Sequence, residues 1–247
     1  MLKLIRSWLL AFITPRPLVG FVYLPRYFAQ WCRYRRASTE SVLLRDSYPC
    51  LTDWTPHTPF DPHYFFQGAW LARRVRDAGP KQHVDIGSSV MMISVLSAIV
   101  DTVFVDYRPL QAAFPGPAPR AGAILALPFG KDEISSLSCL HVIEHIGLGR
   151  YGDPLDVAGS AKAARELARV LAPQGRLYVS LPVGRERVCF NAHRVHAPES
   201  VLELFVGLEL LEFGFVDDAG GYHERAPLAE ARELEYGCGF FLFTKPA

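Results

Sequence analysis

The sequence predicts an α/β fold: a mostly parallel central sheet with an antiparallel C-terminal strand, preceded by a helical N-terminal appendage. Three observations predict it. From residue 83 onward, short apolar strands alternate with segments of helical periodicity. His83-Val84-Asp85-Ile86-Gly87-Ser88-Ser89 reads as a buried strand running into a small-residue turn, and an apolar helix over Val90 to Val100 follows at once. Two strands near the C-terminus have no helix between them, which points to antiparallel pairing.

Composition bounds the rest. A chain of 247 residues, half of them hydrophobic, can bury one sizeable core plus an appendage. The formal net charge of +1 supplies no field for a nucleic-acid partner. Five scattered cysteines without a C-x-x-C pair fit neither a zinc framework nor a disulfide scaffold, and they favour a reducing cytoplasm.

Residues 1–60 form the expected appendage and connector. Lys3, Arg6, Arg16, Arg26, Arg33, Arg35 and Arg36 precede the first acid, Glu40, and Trp8, Phe12 and Phe21 lie among them. Pro15-Arg16-Pro17 splits two apolar runs, each far short of the ~20 residues that span a bilayer. Residues 1–36 read either as peripheral contacts on an anionic membrane surface or as helices packing as a lid. Residues 46–63 are an irregular, proline-rich connector.

The main domain, residues 61–247, starts with Asp61-Pro62, an N-cap acid followed by proline, opening a helix over His63 to Ala78. Its arginines, Arg73, Arg74 and Arg76, are expected to face water. Strands follow at His83–Ile86 and Thr102–Asp106, then, after a proline-rich loop from Phe114 to Pro119, at Gly122–Leu125 and Ser136–Leu140. A helix over Asp156 to Leu171 has apolar residues at spacings of three and four, and a fifth strand covers Arg176 to Leu181. Asn191 to His196 reads as a polar loop and Pro198 to Phe205 as a helix. Glu209–Val216 and Cys238–Thr244 are the final strands.

The turn after the first strand is where ligand chemistry is expected. Gly87 has no side chain to block a ligand from the backbone, and Ser88 and Ser89 can cap the next helix. Asp106, at the end of the second strand, is placed to accept hydrogen bonds from ribose hydroxyls, with Tyr107 beside it.

Five alternating strand–helix units, then a helix and a terminal strand pair, resemble the class I S-adenosylmethionine-dependent methyltransferases, a Rossmann-like fold. Asp85-Ile86-Gly87 is similar to that superfamily's first motif and Asp106 to its ribose-binding acid. Leu127-Pro128-Phe129 resembles the corner lining the adenine pocket, and Val142-Ile143-Glu144-His145 the Glu-His pair after the fourth strand. The resemblance implies S-adenosyl-L-methionine as cofactor, held by Asp85, Gly87, Ser88, Asp106, Tyr107, Leu127 and Pro128. Three positions depart from the pattern. Ser89 and Met91 replace glycines, Met91 being expected to crowd the cofactor, and Ala123 stands where many relatives have an adenine-binding acid. The fuller pattern, including Phe190-Asn191-Ala192-His193-Arg194, resembles an uncharacterised bacterial methyltransferase-like family associated with surface-polysaccharide gene clusters. That family brings no known substrate; the polar, imidazole-bearing set His141, Glu144, His145, His193 and Arg194 makes O-methylation of a sugar or other small polar acceptor in glycan biosynthesis the expected activity, and an inactive scaffold in a glycan-assembly complex is the alternative.

His141, Glu144 and His145 stand at i, i+3 and i+4, on one face of a helical turn. With His193 they form the expected catalytic set. His141 would take an acceptor's hydroxyl proton, oriented by Glu144 or Asp153. Arg194 suits an anionic group. The same triplet reads H-x-x-E-H, the inverted zinc-protease motif, but Gly147 and Gly149 break the helix that motif requires. Glu144 and His145, with His193 or His196 as a later ligand, resemble the Glu-x-x-Glu-His set with a later His by which some O-methyltransferases bind a divalent ion, with His141 in place of the first acid, although no metal centre is assigned from the sequence.

Overall fold

The computed structural model describes residues 15–108, 110–111 and 116–247, with side chains from Gly20 onward. The expectations resting on Lys3, Arg6, Trp8, Phe12 and Phe114 lie outside these residues. The chain divides into two units, one ending at Phe60 and the other starting at Asp61. In the first, helix α1 (Pro15–Ala37) begins at the proline pair expected to divide two runs. Phe21, Val22, Phe28 and Tyr34 are exposed on it, and the Arg26 guanidinium lies 4.2 Å over the Trp54 ring. No helix among the described residues is long and apolar enough to cross a membrane.

The second unit is a Rossmann-like α/β domain. Helix α2 (Pro62–Ala78) starts as its sequence dictates: Asp61 Oδ1 accepts the His63 and Tyr64 backbone N–H groups, and Pro62 occupies the first turn. Gly79, at φ 58°, ends it. Strand β1 (Gln82–Ile86) leads into the short helix α3 (Val90–Leu96), then β2 (Asp101–Asp106) and β3 (Ala118–Ala121). Next come β4 (Ile134–Leu140), helix α4 (Gly159–Val170) and the long β5 (Leu171–Val183). A small hairpin, β6 (Arg187–Cys189) and β7 (His193–Val195), precedes helix α5 (Pro198–Leu204). Strands β8 (Glu209–Val216), β9 (Tyr222–His223) and β10 (Gly237–Thr244) complete the chain.

The main sheet has the order β3-β2-β1-β4-β5-β10-β8-β9. Strands β1 to β5 are mutually parallel, and β10 inserts antiparallel between β5 and β8. The antiparallel C-terminal strand is therefore inside the sheet. This has a direct consequence for the site: antiparallel pairing brings the start of β10 to the carboxyl end of β5, with Cys238 opposite Pro182.

Two cores flank the sheet, and strand alternation divides residues between them. On β10, Phe241 and Phe243 join the core containing Ala163, Ala164 and Leu167 of α4. Cys238, Phe240 and Leu242 join Trp70, Leu71 and Val75 of α2 and Ile93 and Leu96 of α3. Arg74, expected in water, instead ties α2 to β8: its Nη2 lies 2.7 Å from Glu212 and 2.6 Å from Glu224. Trp70 Nε1 donates to the same Glu212 carboxylate at 3.0 Å.

Several boundaries moved for local reasons. The third strand lies at Ala118–Ala121 instead of Gly122–Leu125. Gly122 is wedged so tightly that an added Cβ would meet Val105 Cγ1 at 2.7 Å and Pro128 Cδ at 2.9 Å, and the chain turns there. Helix α4 starts at Gly159 instead of Asp156 because Asp156 N–H is bonded to the Gly147 carbonyl, which holds that residue outside the helix. The expected polar loop at Asn191–His196 contains β7, too short for alternation to reveal.

Candidate active site

The site is built at the carboxyl ends of β1, β2 and β4, where open α/β sheets bind ligands. Its base is a buried polar network. His83 Nδ1 and Nε2 lie 2.8 Å from the hydroxyls of Ser136 and Ser138. The Ser138 hydroxyl donates to Asp85 Oδ2. Asp85 also accepts the Ser88 backbone N–H at 3.0 Å and the Ser88 hydroxyl at 2.7 Å, and Ser88 Oγ in turn accepts the Leu140 N–H. Burial drives the Asp85 pKa up to about 6 in spite of these bonds, and burial alone pushes His83 down to about 3. Asp85 and Ser88 therefore hold the turn from beneath, and Asp85 lines neither cavity described below. Neither Ser88 nor Ser89 caps α3 with its hydroxyl, which corrects that expectation.

Above the network lies an apolar cleft. Gly87, at φ 65°, forms its rim. A Cβ there would stand 3.5 Å from Val142 and 3.8 Å from Asp106 Oδ2. Asp106 Oδ1 accepts the Arg108 backbone N–H at 2.7 Å, leaving Oδ2 on the Gly87 side. Ala123, Ile124 and Leu125 line the far side with Tyr107 and Ile146. Leu127 and Pro128 do not line the cleft: Leu127 is buried with its N–H on Glu166 Oε1, and Pro128 packs behind Gly122. The apolar wall opposite Gly87 is thus formed by Ala123 to Leu125, a few residues before the Leu127-Pro128 corner. Met91 is 78% exposed and lines neither cavity, so it crowds nothing.

A second, more polar cavity opens beside the cleft. Asp61, His63, Tyr64, Ser89, Glu144, Arg150, His193 and Tyr236 line it. Gly87, His141, His145 and Tyr151 belong to both cavities and form the junction. His141 leaves β4 with φ 54°, an uncommon conformation for a side chain of its size, and Ile143–His145 is a single 3-10 turn. The expected helical face does not exist, yet His141 Nδ1 still lies 2.8 Å from Glu144 Oε1. His141 Nε2 faces Cys238 Sγ at 3.2 Å.

These contacts reassign the expected roles. Burial opposes charge on His141, but Cys238 and Glu144 outweigh it and place its pKa well above the ordinary range. Nδ1 is engaged by Glu144 and Nε2 is turned to Cys238, so neither ring nitrogen of His141 is directed at an acceptor's hydroxyl. Burial likewise opposes charge on Glu144, and the His141 bond overrides it and lowers its pKa. His145 is lowered, chiefly by burial; its Nδ1 donates to the Ala192 carbonyl at 2.6 Å. His193 is also lowered, chiefly by burial, and its ring, 5.0 Å from that of Tyr236, makes no hydrogen bond among the described residues. Asp153 does not orient His141; it accepts the Gly147 and Tyr151 N–H groups and fixes that loop. Arg194 lines neither cavity and clamps the turn, donating to the Ile146 carbonyl at 2.8 Å and to Ser160 Oγ at 3.1 Å. Of the two alternatives for a later metal ligand, His193 lines the polar cavity with Glu144 and His145, whereas His196 is buried and lines neither cavity.

Residues 131–220, less than half of the chain, match a family described as Caenorhabditis protein of unknown function, DUF268. None of the curated proteins matches. Solved structures do. The [4+2]-cyclase SpnF is similar over 73% of this chain and 80% of its own, with 16% identity and a TM-score of 0.54. The N-methyltransferase NodS of Bradyrhizobium japonicum, solved with S-adenosyl-L-homocysteine, matches over 76% of this chain and 89% of its own, at 16% identity and a TM-score of 0.51. The YcgJ protein of Bacillus subtilis covers 74% of this chain and 99% of its own, at 13% identity and a TM-score of 0.52.

The fold is that of the class I methyltransferases. One neighbour is named a cyclase and another an N-methyltransferase, so the fold by itself does not select a reaction. Within this methyltransferase fold, sequence reasoning missed His63, Tyr64, Arg150, Tyr151, Tyr236 and Cys238. Two of these, Tyr236 and Cys238, reach the site only because β10 runs antiparallel. The cap residue Asp61 was legible as the start of a helix, but nothing in the sequence aims that start at the end of β4.

Proposed function

We propose that the protein transfers a methyl group from S-adenosylmethionine to an oxygen of a sugar or a similarly polar small acceptor. The observation that carries this reading is the junction of the two cavities at Gly87 and His145. An apolar cleft with a free carboxylate oxygen lies on one side and a hydrogen-bonding cavity with tyrosine rings on the other. The residues present fit the cofactor. Gly87 leaves space that a Cβ would fill, Asp106 Oδ2 is placed for a ribose, and Ile124 and Leu125 offer an apolar wall to an adenine. When bound, the cofactor supplies a methyl group on a sulfonium, which an aligned nucleophile displaces in line.

Tyr64, Tyr151 and Tyr236 offer apolar ring faces to a sugar, while Arg150 and Asp61 offer hydrogen bonds to its hydroxyls. His193 accepts the hydroxyl proton. Burial lowers its pKa and favours the neutral imidazole, and its nitrogens have no hydrogen-bond partner among the described residues. His145 is held in one orientation by Ala192 and walls the junction, excluding water.

Incubation with methyl-labelled S-adenosylmethionine and a panel of free and nucleotide-activated sugars tests the reaction. Label should appear on a sugar oxygen, and His193→Ala should lower turnover by roughly 10²–10⁴-fold with cofactor affinity retained. Transfer to amines alone would overturn the oxygen reading. The second reading is a binding protein without catalysis, and Ala123 favours it by leaving the adenine side without a carboxylate. Cofactor binding with no transfer to any acceptor supports that reading.

A further inference from the structure

We propose that the protein binds a zinc(II) ion through His63, His141 and Cys238. One ligand atom from each of the three lies within 4.8 Å of the others. Ligand atoms about 2.0–2.3 Å from a tetrahedral zinc stand roughly 3.5 Å apart, so the set closes when the His63 ring, now stacked on His141 at 7°, turns toward the shared ion. The three come from separate elements: the start of α2, the end of β4 and the start of β10. The short Cys238 Sγ to His141 Nε2 distance, 3.2 Å, is already that of neighbouring ligands.

Two further observations point the same way. The ring of His141 is held by Glu144 through Nδ1, which leaves Nε2 as the nitrogen facing Cys238. Carboxylate, imidazole and metal in that order is the arrangement that orients metal-bound histidines. Glu144 is fully buried, and its Oε2 has no partner among the described residues, so it is placed there for something other than solvation. His141 also adopts φ 54°, and backbone held in so unfavoured a region marks a residue whose direction matters.

One thiolate and two imidazoles are a donor set suited to zinc. Three protein ligands leave a fourth position open, as in catalytic sites, and His63 and His141 line the polar cavity. This set differs from the one the H-x-x-E-H motif would imply, since Glu144 stands behind a ligand and His145 faces away to Ala192. The inference rests on ligand placement and stands apart from the methyl-transfer reading.

The test uses the full chain, expressed with zinc and dialysed, with metal content measured per chain and cobalt(II) substituted for zinc as a spectroscopic probe. One zinc per chain is expected, with a thiolate-to-cobalt charge-transfer band that disappears in Cys238→Ser. His63→Gln should weaken zinc by at least tenfold, and Glu144→Gln by roughly 10–100-fold. His63→Gln keeps the Asp61 cap on its backbone N–H, so it remains informative if Cys238→Ser does not fold. A protein carrying Cys32→Ser and Cys50→Ser should bind as the parent does. Substoichiometric metal, unchanged affinity in His63→Gln, or a charge-transfer band surviving in Cys238→Ser would overturn the proposal. Zinc bound in a protein that ignores S-adenosylhomocysteine would leave this inference standing and remove the cofactor reading alone.

Discussion

His83 shows how a single residue is read from its surroundings. The sequence placed it at the start of a buried strand, but only the structure shows that two serine hydroxyls satisfy both ring nitrogens. Its folded pKa of about 3 lies below the ordinary 6.5 because the buried ring resists charging. In the window between these values the unfolded chain binds the extra proton, so stability falls as pH drops from about 6.5 toward 3. Asp85 acts in the opposite sense: its folded pKa of about 6 exceeds the ordinary 3.8, so the folded state holds the extra proton, and stability rises as pH falls from about 6 to 4. His83→Gln removes the first contribution and leaves the second. Its melting temperature should therefore fall less between pH 7 and pH 5 than the parent's. Equal falls would show that the His83 environment does not govern the response. At this scale the sequence carried residue types well and roles poorly. Gly87 and Asp106 meet at the cleft as their spacing implied, whereas Asp85, Ser88 and Arg194 turn inward to hold backbone. Inward and outward orientation depends on partners from β4 and the 3-10 turn, which no local pattern encodes.

At the scale of elements, α2 is the best example of a helix whose limits were legible and whose partners were not. Its cap, first-turn proline and terminal glycine are local signals, and all three operate. Arg74 looked like a solvated cation because its neighbours in sequence are arginines. In the fold it meets Glu212 of β8, with side-chain exposures of 13% and 10%, and Trp70 shares the same carboxylate. Without the Glu212 charge, Arg74 keeps only the half-exposed Glu224 as a partner, which puts the cost at the low end for a broken buried pair. Glu212→Gln should lower the unfolding free energy by about 3 kcal/mol in urea denaturation. A change within the ~0.5 kcal/mol typical of surface substitutions would mean that the pair contributes little. Strand β10 was found close to its observed place because burial on both faces makes it a nearly continuous apolar run. Strands β6 and β7 escaped because three residues cannot display a period.

At the scale of the whole molecule, alternating strands and helices implied the parallel half of the sheet, and the paired terminal strands implied antiparallel closure. The insertion of β10 between β5 and β8 did not follow from the pattern, since strand order is a matter of long-range pairing. That insertion brings Tyr236 to the polar cavity and Cys238 against His141, which the sequence did not place there, whereas His141, Glu144, His145 and His193 of the same cavity were legible. The apolar half, by contrast, takes Gly87 and Asp106 from the ends of the consecutive strands β1 and β2 and was visible in that turn and that acid. The proposed methyl transfer stands on S-adenosyl cofactor binding in this half. Isothermal titration calorimetry of the full chain with S-adenosylhomocysteine, with Asp106→Ala as the matched variant, is the decisive experiment. Saturable binding at one ligand per chain is expected, weakened at least tenfold in Asp106→Ala, a loss of about 1.4 kcal/mol or more. No heat and no thermal shift at millimolar ligand, or equal affinity in the parent and Asp106→Ala, would contradict it.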